Sequence, residues 1–157
     1  MFNSSGIFKV LWDGLYKQPH LTKLGMEEAG MKKRIVVVDD QVAILEVVQL
    51  ALEMEGYEVE TSQTGSYFQH MHPPFPDLIL LDIFLEGEDG REICNRLKAD
   101  EQTKHIPVVL LSAHANSEQT MRDCHTDDFL AKPFHLDALL RLVEQYVNRS
   151  STYHPQY

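Results

Sequence analysis

The chain has 157 residues, 43% hydrophobic and 24% charged, which is room for one domain with a real core. Residues 1–30 balance three acids (Asp13, Glu27, Glu28) against three lysines (Lys9, Lys17, Lys23), so the whole formal charge of −10 lies in residues 31–157, from 21 acids and 11 bases. A domain that acidic lacks the footprint of a nucleic-acid binder, and no apolar run approaches the roughly 18 residues of a membrane span. Lys9, Asp13 and Lys17 interrupt any signal-peptide core, so a cytoplasmic protein with no membrane partner is expected. Cys94 and Cys124 stand singly, without ligand spacing, and are expected to be buried thiols.

Residues 1–31 form an N-terminal extension. Within it Phe8, Leu11, Trp12 and Leu15 fall at helical spacing, which predicts a short amphipathic helix or, in the alternative, a disordered arm. From residue 34 strands alternate with helices. The first strand, about 34 to 39, is apolar on both faces, as a parallel strand covered on each side would be. Asp40 is a candidate N-cap for a helix over about 41 to 55, with Ile44, Leu45, Val48 and Leu52 inward and Gly56 ending it. A second strand follows over 57 to 61, a weak second helix over about 65 to 71 closed by His72-Pro73-Pro74, and a third strand over 77 to 82. Glu86-Gly87-Glu88-Asp89-Gly90 is a loop, and residues 89 to about 99 a third helix with Ile93 and Leu97 inward.

The fourth strand is expected over 106 to 111, a fourth helix over about 115 to 124, and the fifth strand over 128 to 131. A strongly periodic fifth helix over 135 to 148 carries Leu136, Leu139, Leu140, Val143 and Val147. Five alternating pairs predict a three-layer α/β/α sandwich around a parallel sheet, with residues 32–149 as its domain and 150–157 as a tail.

Polar chemistry begins where the apolar strands stop: Asp39 and Asp40 after the first, Asp82 after the third, Ser112 after the fourth and Lys132 after the fifth. In an open parallel sheet these converge at the carboxyl edge, where such sheets place their sites. Phosphoryl transfer to a carboxylate needs a nucleophile, a divalent cation and further donors for the phosphoryl oxygens. Asp82 can be the nucleophile. The three carboxylates repel one another unless a cation such as Mg²⁺ holds them, while Lys132 offers a point charge and Ser112 a hydroxyl. Singly, each residue is as well explained by a cap, a solvated acid or an ordinary Lys-Pro; their joint order is what carries the reading.

With the segments Ile35-Val36-Val37-Val38-Asp39-Asp40, Pro76 to Ile83, Asp89-Gly90, Leu111-Ser112-Ala113 and Asp127 to Phe134, the chain resembles the receiver domain of two-component response regulators over residues 33 to about 148. The resemblance implies a flavodoxin-like fold of strand order 2-1-3-4-5. It implies that Asp82 accepts a phosphoryl group from a histidine kinase or histidine phosphotransfer protein, and that Asp40, Asp82 and the backbone carbonyl of Phe84 bind Mg²⁺, with Asp39 acting mostly through water. It implies a switch in which Ser112 and Phe129 move together, a cis peptide at Lys132-Pro133, and dephosphorylation tuned by Phe84 and His114. Phe129 as a plain core aromatic and His114 as an ordinary half-exposed histidine are the competing readings.

Three departures stand out: Glu86 where many receivers have proline, His125 where glycine is usual before the fifth strand, and Leu142 where receivers that dimerise to drive DNA-binding domains often carry arginine. That dimer is therefore not carried over, and a phosphorylation-dependent dimer of another kind stays open. A stand-alone domain is expected, catalysing only its own phosphorylation and dephosphorylation and signalling to an unknown downstream protein by contact or onward phosphotransfer. Bulky, apolar Phe84 predicts slow self-dephosphorylation. A pseudo-receiver would not keep every site residue. A haloacid dehalogenase-type phosphatase needs an acid where Phe84 stands, and a flavin carrier needs a phosphate loop where Asp39-Asp40-Gln41 stands.

Overall fold

The computed structural model describes residues 31–113, 119, 122 and 124–150, so the N-terminal extension, the C-terminal tail, His114 and most of the expected fourth helix lie outside the described residues. The elements are β1 (Arg34–Val38), α1 (Val42–Met54), β2 (Glu58–Ser62), a 3₁₀ turn (Gly65–Gln69) and β3 (Leu78–Asp82). A two-residue ribbon follows (Phe84–Leu85 with Glu88–Asp89), then α2 (Gly90–Ala99), β4 (Val108–Ser112), β5 (Asp128–Ala131) and α3 (Leu136–Ser150). The five main strands form one parallel sheet of order β2-β1-β3-β4-β5, as the resemblance implies.

The sheet is covered on both faces because its central strands are apolar on both sides between their polar ends. Ile35, Val37, Leu78, Leu80, Val109 and Leu111 face one layer, with Leu45, Val48 and Leu52 of α1 and Leu139, Val143, Tyr146 and Val147 of α3. The alternate residues, Val36, Val38, Ile79, Leu81, Val108 and Leu110, face the other, with Ile93, Cys94 and Leu97 of α2 and Cys124. Each fully buried Leu or Ile in these layers contributes about 1.5–3 kcal/mol. Both cysteines are buried and free, and burial pushes the Cys94 thiol up to about 12.

Four local expectations need correction. Asp40 does not cap α1; Gln41 holds the N-cap position without a side-chain cap bond, and Asp39 Oδ1 accepts the Gln41 amide at 2.9 Å in the turn that precedes the helix. The expected second helix is one 3₁₀ turn, because Thr64-Gly65-Ser66 opens it with residues that favour turns and the prolines after His72 leave no room to propagate. The loop after β3 pairs with itself across Glu86-Gly87, with Gly87 at φ +77°. Leu136, placed in the inward stripe of the last helix, is 39% exposed, and the stripe instead gains Tyr146.

The short 3₁₀ turn leaves β2 flanked by a polar network. Tyr67 donates from its hydroxyl to Glu60 Oε2 at 2.5 Å, and the same carboxylate pairs with Arg34, which also reaches the Pro74 carbonyl. Burial first, and then the Glu60 charge, push the Tyr67 phenol from 10 up to about 12, while Tyr67 and Arg34 hold the Glu60 carboxyl below its ordinary range. For Tyr67 the folded state binds the proton more tightly, so its contribution is intact below the unfolded value and is lost as pH rises through about 12. The Glu60 contribution has the opposite sign and is lost as pH falls through its depressed value. Urea midpoints of the native protein are therefore expected to fall between pH 10 and 12, and Tyr67→Phe to flatten that fall and the acid limb together; unchanged slopes in the variant would assign the fall to other groups.

Candidate functional site

Every strand-end residue singled out in the sequence, His114 apart, lies among the described residues, and β1, β3, β4 and β5 bring them to one edge of the sheet. Asp39 follows β1 and is fully buried; Asp82 ends β3 at 3% exposure, and Ser112 ends β4 at 1%. The Asp39 amide donates to the Ser62 carbonyl at 3.1 Å, which fixes the turn out of β1 against the end of β2. One carboxylate oxygen from each of Asp39, Asp40 and Asp82 lies within 4.8 Å of the others. Such hard oxygen donors, two of them buried and all of one sign, suit a divalent cation that keeps part of its water.

Lys132 reaches this cluster from the far side. Its ammonium is 2.5 Å from Asp39 Oδ2 and 3.4 Å from Asp82 Oδ2, with only 10% of the side chain exposed. The Lys132-Pro133 peptide is cis, and the Lys132 amide donates to the Ser112 carbonyl at 2.7 Å, which sets where the side chain starts. Burial pushes the Asp82 carboxyl above its ordinary range; the Lys132 charge and the Phe84 amide, 3.3 Å from Asp82 Oδ1, act against this, and the Asp39 charge adds to it. With all three acids ionised, one ammonium leaves the cluster negative, so an added cation is attracted.

Phe84 is 50% exposed beside the cluster, an apolar surface with no side-chain hydrogen-bonding group. Phe129 is partly buried on β5 against the second layer, and pairs in register with Leu110, two residues before Ser112.

Sequence reasoning treated Asp89-Gly90 as part of a motif and did not see what the glycine does. Its amide donates to the Ile83 carbonyl at 2.8 Å, and a Cβ built on it lies 2.1 Å from the Asp82 carbonyl oxygen and 2.9 Å from the Ile83 Cα. Helix α2, capped by Asp89 through the Arg91 amide at 2.8 Å, thus begins in backbone contact with the end of β3. Nothing in the spacing shows such a contact; only the fold brings residue 90 back onto residue 82.

The model of the response regulator receiver domain matches residues 35–144, and the chain belongs to that family, the phosphorylation-dependent switches of two-component systems. Among curated relatives, the DNA-binding dual master transcriptional regulator RpaA of Synechocystis sp. is 38% identical over 120 residues, 74% of this chain and 50% of that protein. The phosphate regulon transcriptional regulatory protein PhoB of Escherichia coli is 37% identical over 124 residues, 77% of this chain and 54% of that protein. The chain spans about half the length of these relatives. A CheY-like receiver domain protein from Methanospirillum hungatei aligns with a TM-score of 0.70 at 27% identity, over 77% of this chain and 98% of that one. The non-phosphorylated HemR receiver domain from Leptospira biflexa aligns with a TM-score of 0.69 at 29% identity, over 80% and 100%.

Gly90→Ala is expected to shift the Asp82–Ile83 backbone and to destabilise the protein by about 1–3 kcal/mol through overpacking. Urea denaturation and amide chemical shifts of residues 82 to 84 check this; native values for both would show that the contact yields without strain.

Proposed function

We propose that Asp82 is the phosphoacceptor, receiving its phosphoryl group from a histidine kinase or histidine phosphotransfer protein. The observation that carries this is the convergence of Asp82, Asp39, Asp40 and Lys132, from three strand ends, within hydrogen-bonding or metal-bridging distance of one another. Asp40, Asp82 and the Phe84 backbone carbonyl are the groups that would hold Mg²⁺, with Asp39 acting mostly through water. Bound there, Mg²⁺ would neutralise phosphoryl oxygens and draw the nucleophile and donor together. Lys132 receives one phosphoryl oxygen and Ser112 another, and Ser112 and Phe129 form the switch pair. His114 flanks the site in sequence and shares with Phe84 the tuning of dephosphorylation.

In this reading the chain turns over no substrate beyond its own acyl phosphate, and works in the cytoplasm. Among the described residues no helix is long and apolar enough to cross a membrane. Output runs through a protein contact or onward phosphotransfer, not through direct binding of nucleic acid by this domain, whose residues 31–157 carry the full −10 charge. Leu142, partly buried against the first layer, supports a domain that works without an arginine-based dimer. The stand-alone arrangement is a separate part of this reading, and the mass of the native protein tests it.

Incubation with acetyl phosphate and Mg²⁺ is expected to add one phosphoryl group, visible by mass spectrometry and absent from Asp82→Ala. Labelling that persists in that variant would overturn the assignment, and no labelling of the native protein would favour a pseudo-receiver used only for binding. Phe84, exposed and apolar, gives an attacking water no hydrogen bond. The acyl phosphate is therefore expected to be long-lived and Phe84→Asn to shorten it; a half-life of seconds, the same in both proteins, would sink this.

A further inference from the structure

We propose that Tyr146 and Asp128 are positioning residues for the phosphoryl site: Tyr146, from α3, holds the start of β5 through Asp128 and thereby places Phe129 on that strand and Lys132 beyond it. The inference rests on the functional reading above. Among the described residues β5 is an edge strand with β4 as its one neighbour in the sheet, yet it carries the switch aromatic and delivers the ammonium. An edge strand held by one neighbour has little to fix its angle, so its other attachments set where residue 132 arrives.

Those attachments gather at its first residues. Thr126 Oγ1 lies 2.8 Å from both the Val108 and the Asp128 carbonyls. Lys98 of α2 pairs with Asp127 Oδ2 at 2.5 Å, and the same carboxylate oxygen accepts from the Val108 amide at 2.7 Å. From α3, the Tyr146 hydroxyl donates toward the Asp127 carbonyl at 2.9 Å and toward Asp128 Oδ2 at 3.0 Å. The second oxygen of that carboxylate, Asp128 Oδ1, accepts the backbone N–H of Phe129 at 2.8 Å. One phenol is thus connected, through one carboxylate, to the main chain of the switch residue.

The hydroxyl is out of place as packing. Leu139, Val143 and Val147 form the inward stripe of α3 at 0%, 0% and 2% exposure, and Tyr146 beside them is 7% exposed. A phenylalanine would fill that layer equally well, and the oxygen it would lack is the one bonded to the strand. From Asp128 to Lys132 the chain is extended, about 13 Å, so a small rotation at the anchored end displaces the ammonium from its 2.5 and 3.4 Å contacts with Asp39 and Asp82.

The test compares Tyr146→Phe with the native protein by calorimetric titration, once with Mg²⁺ alone and once with beryllofluoride, an acyl-phosphate mimic, in saturating Mg²⁺. Mg²⁺ would be held by the carboxylates that follow β1 and end β3, and withdrawal of the competing ammonium would not weaken that hold, so its affinity is expected not to fall. Beryllofluoride meets Lys132, and its affinity is expected to fall about three- to tenfold, the range that one hydrogen bond of ~1 kcal/mol commands. Asp128→Ala is expected to match Tyr146→Phe, the double variant to be no weaker than either, and Asp128→Asn, whose single amide oxygen can accept from the phenol or from the Phe129 N–H but not both, to lie between the native protein and Asp128→Ala. A lowered urea midpoint with native affinity for beryllofluoride in both Tyr146→Phe and Asp128→Ala would make the clamp merely structural and overturn the proposal. Failure of the native protein to bind beryllofluoride, or undiminished binding by Asp82→Ala, would instead remove the site reading and the proposal with it.

Discussion

The ammonium of Lys132 against two buried carboxylates is the interaction on which the rest of this structure depends. Asp39 and Asp82 are 0% and 3% exposed, on adjacent strands, and like charges so placed repel strongly in a medium that screens them poorly. The compensating charge is 93 residues from Asp39 in sequence, at the end of the last strand of the sheet. Neither acid can be tolerated where it is until the strand order is complete. The sheet topology and the site electrostatics are therefore one constraint: the fold assembles the charges, and the charges are stable only in the finished fold. Breaking one partner of such a buried set is far more damaging than exchanging a surface pair.

That dependence explains why the site carries a structural debt elsewhere. The turn out of β1 must hold Asp39 still, and does so by tying the Asp39 amide to Ser62 and the Asp39 carboxylate to the Gln41 amide. The end of β3 must hold Asp82 still, and Gly90 packs directly against its carbonyl. The end of β5 must hold Lys132 still, through its amide on the Ser112 carbonyl and the anchored residues 126 to 128 before it. Each acts on backbone, because a side chain can be no better placed than the Cα that bears it.

Much of this was legible in the amino-acid sequence. β1, β3 and β4 are unbroken apolar runs that admit no other role in a chain of this size, and the polar residue after each run marks the carboxyl edge without reference to coordinates. The helices with strong stripes, α1 and α3, fell within two residues of expectation. The second helix did not, since five residues bounded by Gly65 and a proline-rich segment hold too little periodicity to tell a single turn from a short helix. Asp39 and Asp40 are legible as an acidic pair, but which of them meets the backbone before α1 depends on how the chain turns after them, and there Asp39, not Asp40, accepts the Gln41 amide. Gly90 and Tyr146 were invisible as site residues. Their contacts, to Asp82 and to Asp128, exist only between elements, and neither residue type announces such a contact.

The two buried thiols give the second layer a property that the first does not have. Cys94 of α2 and Cys124 before β5 are 0% and 1% exposed, with the sheet residues Val108 and Leu110 in the same layer. A thiol reagent can reach neither without separation of α2 or of the entry to β5 from the sheet, so alkylation rates measure how often that layer breathes. The molecule thus contains its own clock for the motions of the face that supports Phe129, and comparing its rate with that of global unfolding tells local opening of that face from loss of the whole fold.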